Sequence, residues 1–273
     1  MSVADAIRAA TVHIAVASDT PRLDAELLMA HALGLSRTDM LLRQRDLDVP
    51  AAFTALVERR CAGEPVAHIV GTRDFWTITL AVTPDVLIPR PDSETLIEAA
   101  VAHFGGRGPA TVLDLGTGSG ALLLAALAEW PQATGIGVDA SPAALAVAQE
   151  NAARLGLASR AAFRLGDWAA GVEGPFDLIL VNPPYIGTDE PLSGDVLRDP
   201  PSALFAGRDG LDDYRRIVPD LQRLIAPGGF AAIEIGHRQT SDVSALLAGQ
   251  GLKVAVRQDL GQRDRCLAVT RPG

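Results

Sequence analysis

The feature that most constrains the fold is a regular alternation of strand and helix patterns that begins at Ser93. Short apolar segments bounded by turn residues predict strands at about 110–115, 134–139, 160–164, 176–182, 230–235, 252–257 and 265–270. Helical patterns lie between most of these segments, and this order predicts an α/β fold whose sheet has helices on both faces. The last two strands are joined only by "DLGQRDR", which is too short for a helical crossover, so we expect them to pair antiparallel.

Residues 1–71 instead show helical patterns joined by short loops. An apolar stripe with helical spacing predicts the first helix, and a proline in the first turn with a glycine at the end predicts the second. Helices are expected in four places, at 3–14, at 20–34, from Ser36 onward and at 50–63. None of these segments carries a titratable cluster typical of a catalytic site, so we expect a small helical bundle with a structural or partner-recognition role.

A β-hairpin is expected between the helical and the alternating regions. Residues 76–82 alternate between large apolar and smaller or polar side chains, which predicts a half-buried strand. Thr83, Pro84 and Asp85 interrupt this pattern, and Val86–Ile88 can return as the second strand. The sequence thus predicts a helical domain at 1–71, a hairpin linker at 72–90 and an α/β domain at 91–273.

A glycine-rich turn follows the first strand of the alternating region, within "VLDLGTGSGALLLAALA". Gly116, Gly118 and Gly120 permit a tight backbone turn, and the loop that they form with Thr117 and Ser119 leads into the amino terminus of a helix. Because the first N–H groups of a helix are free to bind a ligand, the loop predicts a ligand cradle.

The spacing of this loop distinguishes it from a dinucleotide-binding loop. Nicotinamide enzymes use GxGxxG, whereas this loop reads GxGxG with an acidic residue, Asp114, two positions before the first glycine. No acid or base for hydride transfer is evident either, so a dehydrogenase is disfavoured.

Candidate nucleoside-binding side chains end the next two strands. Asp139 closes the second strand, where a carboxylate can accept hydrogen bonds from both hydroxyls of a ribose, although it can also simply precede the helix that follows Ser141. Asp167 and Trp168 follow the third strand and can receive the amino group and the ring face of an adenine, although a Gly-Asp turn beside a buried tryptophan is common. All these residues fall at carboxyl ends of strands, where open α/β sheets bind ligands.

The fourth strand stops at the sequence "NPPY", which is Asn182, Pro183, Pro184 and Tyr185. Two prolines fix the backbone, and the side-chain oxygen of Asn182 with the Pro183 carbonyl offers two hydrogen-bond acceptors to one planar NH2 group. Tyr185 adds a flat face against which an amide or a base can lie. The pattern predicts methylation of a planar amino nitrogen without a general base, but it does not distinguish glutamine from adenine.

Composition excludes several other classes of function. A net charge of −9 and the lack of a dense basic run argue against direct nucleic-acid binding. No apolar run approaches the roughly 20 residues of a membrane span, and the amino-terminal residues lack the pattern of an export signal. Two unpaired cysteines and scattered histidines predict no metal centre and a reducing, cytoplasmic location.

The motifs together resemble those of known methyltransferases. The glycine loop, Asp139 and the short final hairpin are similar to those of the seven-stranded class I S-adenosylmethionine-dependent enzymes. The segments "VLIPRPDSETLIE", "PSALFAGRDGLDDYRRI" and "IEIGHRQ" extend this resemblance over essentially the whole chain, to the HemK/PrmC family of protein-(glutamine-N5) methyltransferases. The chain departs from the family pattern at "RPDSE", where Arg-Pro-Glu-Thr-Glu is usual, and at Asp199, where glutamate is frequent.

The resemblance implies a substrate and a set of contacts. The substrate would be the glutamine of the Gly-Gly-Gln loop of class 1 peptide chain release factors, bound by the four residues of "NPPY". S-adenosylmethionine would contact residues 116–120, Asp139, Asp167, Trp168 and Asn182. We expect a monomer, because the site must admit a protein loop.

Three alternatives use the same residues differently. The acceptor can be a glutamine of a ribosomal protein, or an exocyclic amino group of a nucleic acid, although the acidic charge disfavours the latter. A third possibility is a cofactor sensor without catalysis, but a sensor has no need of the intact "NPPY" sequence.

Overall fold

The structure is a computed structural model that describes residues 1–190 and 198–272. Its described part divides into two compact units. The first contains Met1–Thr72 with Arg198, and the second contains 73–190 and 199–272. Residues 191–197 and Gly273 of the expected α/β domain lie outside the described residues.

The first unit is helical, as the sequence predicts. Its helices are α1 (Val3–Ile14), α2 (Pro21–Leu33), α3 (Arg37–Arg43), α4 (Phe53–Cys61) and α5 (Val66–Val70). Ser2 and Ser36 cap α1 and α3, and Gly34 ends α2 in the left-handed conformation with φ of 65°. Helix α5 was not predicted from the sequence, because its five residues are too few to show a helical period.

A two-stranded hairpin follows the helices, with strands β1 (Thr72–Phe75) and β2 (Ile78–Ala81), and all of it after Thr72 belongs to the second unit. Trp76 lies in the turn with φ of 53°, and its backbone N–H donates to Glu94 at 2.8 Å. A hairpin is present within the predicted range 72–90, but its strands differ from the prediction. The segment predicted as the first strand, 76–82, contains the second strand β2, and the first strand β1 precedes Trp76.

The prediction that Val86–Ile88 forms the second strand is wrong. Within residues 1–190 and 198–272 this segment pairs with no strand; the N–H of Ile88 donates instead to Asp199 Oδ1 at 3.1 Å. Asp199 Oδ2 also accepts from Arg90 Nη2 at 2.6 Å. An aspartate more than a hundred positions later thus accepts the backbone hydrogen bond that a neighbouring strand would otherwise have accepted.

The rest of the second unit is a seven-stranded sheet with the order β5-β4-β3-β6-β7-β9-β8. Its strands are β3 (Thr111–Leu115), β4 (Thr134–Asp139), β5 (Ala161–Leu165), β6 (Phe176–Val181), β7 (Ile225–Glu234), β8 (Lys253–Gln258) and β9 (Asp264–Thr270). β9 pairs antiparallel with both β7 and β8, and the other pairs are parallel. This confirms the predicted α/β fold and its antiparallel last pair.

β7 differs from its prediction at one end. It begins at Ile225 rather than near residue 230, and its register with β6 shifts between Phe176 and Leu178. The early part of this strand was not predicted because it contains Pro227, Gly228 and Gly229. Neither proline nor glycine is typical of a strand interior.

Helices cover both faces of this sheet, and they are α6 (Glu94–Phe104), α7 (Ala121–Glu129), α8 (Pro142–Arg154), α9 (Asp212–Leu224) and α10 (Thr240–Gly249). Neighbouring residues of β3 face opposite cores: Val112 is buried with α6, α7 and α8, and Leu113 is buried with α9 and α10. The chain runs outward from β3 to β4 and β5, and then returns to β6 on the other side of β3. This reversal opens a crevice at the carboxyl ends of β3, β4 and β6.

Candidate functional site

A cavity of about 680 Å³ lies at this crevice, within the range typical of small-molecule sites. It brings together nine of the residues predicted from sequence, namely Gly116, Thr117, Gly118, Ser119, Asp139, Asp167, Trp168, Asn182 and Pro184. The other three predicted residues, Gly120, Pro183 and Tyr185, do not line it.

The glycine loop is shaped by positive backbone φ angles. Gly116, Gly118 and Gly120 have φ of 74°, 55° and 83°. A Cβ on Gly116 would come within 2.9 Å of Trp168 Cζ3, whereas one on Gly118 would meet no atom within 4 Å. Gly116 therefore makes room for the indole ring, and Gly118 leaves open space beside the cavity.

Gly120 serves the helix rather than the cavity. It is the residue before α7, and a Cβ there would lie 3.0 Å from Leu124 Cδ1 and 3.3 Å from Ala148 Cβ. The third glycine is therefore required for the close packing of α7 and α8.

The acidic residue before the loop, Asp114, is buried beneath it. Its Oδ2 accepts from Thr117 Oγ1 at 2.7 Å and from the N–H of Leu123 at 3.3 Å, so one carboxylate oxygen joins the loop to the first turn of α7. Its Oδ1 has no hydrogen-bond partner in the part of the chain that the structure describes. Burial raises the pKa of Asp114 to about 7, and the negative charge of Asp139 adds to this rise. The sequence analysis noted its position but assigned it no role.

Asp139 is fixed by two backbone donors. Its Oδ2 accepts from the N–H of Gly118 and its Oδ1 from that of Ser141, each at 2.8 Å. A carboxylate oxygen can accept more than one hydrogen bond, so each keeps acceptor capacity for a ligand in the cavity. The role predicted for Asp139 and its place before a helix are therefore compatible.

Trp168 adopts a strained conformation that places its ring over the glycine loop. Its φ is 48°, which is uncommon for a bulky residue. Backbone strain of this kind is often found at functional sites. Its Nε1 donates to Asp213 Oδ1 at 3.0 Å, and Asp213 also accepts from Arg216 at 3.2 Å. Asp167 forms its own short ion pair with Arg216. Asp213 and Arg216 both line the cavity, and neither was predicted from the sequence, because they lie 45 positions or more after Trp168.

Asn182 is the first residue after β6 and is held from one side. Its Nδ2 donates to Ser93 Oγ at 3.2 Å, and the sequence analysis did not identify Ser93 as a site residue. Pro183 and Pro184 are buried, and only Pro184 reaches the cavity lining.

Tyr185 is anchored by other parts of the second unit. Its carbonyl accepts from Gln239 Nε2 at 2.9 Å, and its hydroxyl accepts from Arg265 Nη1 at 3.4 Å. Burial raises the pKa of Tyr185 to about 12, so the phenol remains neutral. Gln239 also donates to the carbonyl of Gly210 at 3.2 Å, which ties the "NPPY" turn to the segment before α9.

Two further segments line the cavity. One follows β2 and contributes 84–87 and Pro89, and the other is 200–203. Asp199 joins them through its bonds to Ile88 and Arg90, and this carboxylate is almost fully buried. No role was predicted for Asp199, because the related family often has glutamate at this position and aspartate is one methylene shorter.

The described residues contain no helix that is long and apolar enough to cross a membrane. Over the same residues, no group of three or more histidine, cysteine, aspartate or glutamate side chains is placed to hold a metal ion.

Comparison with solved structures identifies class I methyltransferase folds. The hMettl16 catalytic domain bound to an RNA hairpin is 15% identical with a TM-score of 0.59, over 85% of this chain and 87% of that one. A ribosomal protein L11 methylase from Lactobacillus delbrueckii is 24% identical with a TM-score of 0.50, over 67% of this chain and 81% of that one. At these identities the likeness shows the fold alone.

Sequence comparison identifies the family. Residues 5–71 match the PrmC N-terminal domain, and residues 108–249 match a methyltransferase domain. A release factor glutamine methyltransferase of Rhodospirillum rubrum is 47% identical over 93% of this chain and 80% of its own. That of Cereibacter sphaeroides is 47% identical over 100% of this chain and 99% of its own, and that of Caulobacter vibrioides is 43% identical over 93% and 91%. The chain therefore belongs to the family of release factor glutamine methyltransferases.

Proposed function

We propose that this protein transfers a methyl group from S-adenosylmethionine to the side-chain amide nitrogen (N5) of a release-factor glutamine. The glutamine is that of the Gly-Gly-Gln motif of class 1 peptide chain release factors. The observation that carries the proposal is the position of Asn182, which lines the same cavity as the glycine loop and Asp139. Family membership supports glutamine as the acceptor.

The cavity residues fit the methyl donor. The volume suits a molecule of this size, Gly118 leaves open space beside the loop, and the carboxylate of Asp139 keeps acceptor capacity. When bound, S-adenosylmethionine supplies an electrophilic methyl group on a positively charged sulfur.

Separate groups of residues bind the parts of the donor. The glycine loop binds the methionine end, and Asp139 accepts hydrogen bonds from the ribose hydroxyls. Trp168 presents its ring face to the adenine. The pairing of Asp167 with Arg216 holds its carboxylate at the rim of this subsite.

Where the glutamine binds, Asn182 and Pro183 act as hydrogen-bond acceptors and do not remove a proton as bases. The side-chain oxygen of Asn182 would accept from one N–H of the glutamine amide. The carbonyl of Pro183, which is next to Asn182 in the chain but does not line the cavity, would accept from the other when the glutamine binds, so that the nitrogen lone pair points at the methyl group. No base is needed before attack. The bond between the methyl carbon and the sulfur would break as the nitrogen attacks, its electron pair would stay on the sulfur of the departing S-adenosylhomocysteine, and the methylated nitrogen would then lose its proton to water. Fixing the reactants in this geometry supplies effective molarities on the order of 10⁵ M or more.

The remaining features of the proposal concern partner and setting. Residues 1–71 form the domain that recognises the release factor, residues 72–90 link it to the catalytic domain at 91–273, and the protein acts as a cytoplasmic monomer without direct nucleic-acid binding. Net charge of −9 supports a protein acceptor over a polyanion.

A panel of acceptors tests the proposal. The protein is incubated with methyl-labelled donor and, in turn, with purified release factor, ribosomes, tRNA and DNA, and the labelled residue is mapped by mass spectrometry. We expect label on the release factor, at the motif glutamine, and none on a release factor in which alanine replaces that glutamine. Label on ribosomal protein, tRNA or DNA with none on the release factor would refute it, and binding of donor without transfer would indicate a sensor.

A further inference from the structure

The orientation of the Asn182 amide decides whether this side chain can bind a glutamine. Its oxygen accepts hydrogen bonds, whereas its NH2 group only donates. If Asn182 presented its NH2 group to the NH2 group of the substrate glutamine, two hydrogen-bond donors would face each other. The oxygen must therefore face the cavity, and some neighbour must hold the NH2 group.

Ser93 is that neighbour. It ends a short 3₁₀ turn, Pro91–Ser93, before α6, and it is 4% exposed. Its Oγ accepts from Asn182 Nδ2 at 3.2 Å, across 89 positions of sequence. A serine hydroxyl has one hydrogen, and if that hydrogen pointed at Asn182 it would favour the opposite orientation.

Glu234 is the buried acceptor placed nearest to this hydrogen bond. It is the last residue of β7 and is 1% exposed, and it follows Ile233, which pairs with Val181 just before Asn182. Hydrogen bonding with Ser93 lowers the pKa of Glu234 against the rise that burial causes. Its Oε2 has no hydrogen-bond partner among the residues that the structure describes. A hydrogen bond from Ser93 would therefore stabilise a buried carboxylate that is otherwise poorly satisfied.

We infer that Glu234 and Ser93 are positioning residues that orient the catalytic amide of Asn182. Ser93 donates its only hydrogen to the ionised carboxylate of Glu234, and can then only accept from Asn182. Asn182 must give its NH2 group to Ser93, and its oxygen remains for the acceptor amide. This inference rests on the proposed function, because it concerns the same reaction.

The relay depends on the charge of Glu234. Burial raises the pKa of Glu234 to about 7, while its hydrogen bond with Ser93 opposes this rise. Several other groups face this carboxyl: the cations Arg265 and Arg90, the anion Asp92, and the neutral Tyr185, Tyr214 and Cys266. A protonated Glu234 donates to Ser93, which frees the serine hydrogen to point at Asn182 and favours the unproductive orientation.

A direct test reads the Asn182 amide by NMR. The chain has only two asparagines, Asn151 and Asn182, so labelling asparagine with ¹⁵N gives two side-chain NH2 signals. Asn151 donates to the carbonyls of Ala81 and Ser119, both at 3.0 Å, and its signals in each variant report an intact fold. Loss of the Asn182 signals in Asn182→Asp assigns them.

Two matched comparisons follow. Ser93→Thr keeps the hydroxyl, and Ser93→Val has the same shape as the threonine variant but carries a methyl group in place of the hydroxyl. We therefore expect the Asn182 signals to shift in the valine variant alone. We also expect the wild-type Asn182 signals to titrate with a midpoint near pH 7, in line with the pKa of Glu234 of about 7, and this titration to vanish in Glu234→Gln. Equal Asn182 signals in the threonine and valine variants, or a titration that persists in Glu234→Gln, would overturn the inference.

Kinetics supply the second arm. Ser93→Val should lower kcat about tenfold or more relative to Ser93→Thr, with KM for the methyl donor unchanged, because orientation and not donor binding is lost. Equal kcat in the two variants would also overturn the inference. A wild-type protein that methylates no release factor would refute the proposed function alone, since the NMR comparison needs no acceptor and decides the orientation by itself.

Discussion

Replacing Asp114 with asparagine should change how the stability of this protein depends on pH. Asp114 is fully buried under the glycine loop, and burial raises its pKa from 3.8 to about 7. A folded-state pKa above the unfolded value means that the folded protein holds a proton that the unfolded chain has already lost. The stability associated with this group is therefore fully present below pH 3.8 and is lost as pH rises toward 7.

The magnitude follows from the shift. Each pKa unit corresponds to about 1.4 kcal/mol, so the ionisation of Asp114 costs roughly 4 kcal/mol above its folded pKa. Between pH 5 and the folded pKa of about 7, the pH rises by two units, so the free energy of unfolding of the wild-type protein falls by about 3 kcal/mol because of Asp114. Asparagine keeps an oxygen for Thr117 and Leu123 and does not ionise, so the variant avoids this loss.

The assay is urea unfolding of both proteins at pH 5 and pH 8. The free energy of unfolding of Asp114→Asn, relative to wild type, should rise by about 3 kcal/mol between these pH values. Comparison at each pH removes the effects of all other titrating groups, which both proteins share. A relative stability that stays constant between pH 5 and pH 8 would show that Asp114 is already ionised at pH 5, and would refute the reasoning.

Three further substitutions test the cavity. Asn182→Ala should reduce kcat on release factor by a factor on the order of 10² or more while leaving the unfolding free energy within about 1 kcal/mol of wild type, so full activity would remove Asn182 from the chemistry. Asp139→Ala should weaken binding of the methyl donor by about tenfold or more in calorimetry, since it removes a charged acceptor, and unchanged affinity would exclude the proposed ribose contact. Gly116→Ala should lower the unfolding free energy more than Gly118→Ala, because both have positive φ but only the first would press a Cβ against Trp168; equal losses in urea unfolding would contradict this.

Sequence reasoning succeeded where the signal is local. The seven strands of the sheet, the first four helices, the helices between most of the strands and the glycine loop were predicted because each depends on residues a few positions apart. It failed at Val86–Ile88, where the strand pattern is present but no strand of the described part of the chain pairs with it. The deciding group there is Asp199, which satisfies Ile88 and Arg90 from more than a hundred positions away.

The same distinction applies within the candidate site. The residues that present a backbone shape, such as Gly116, or that end a strand, such as Asp139 and Asn182, could be found from sequence because their positions follow from the alternation of elements. The residues that fix the direction of those side chains could not. Ser93 lies in a 3₁₀ turn and Glu234 at the end of β7, and only the parallel pairing of β6 with β7 brings the end of one strand beside the other. "NPPY" therefore indicates which atoms are available to bind a planar NH2 group, whereas the sheet order determines which of them faces it.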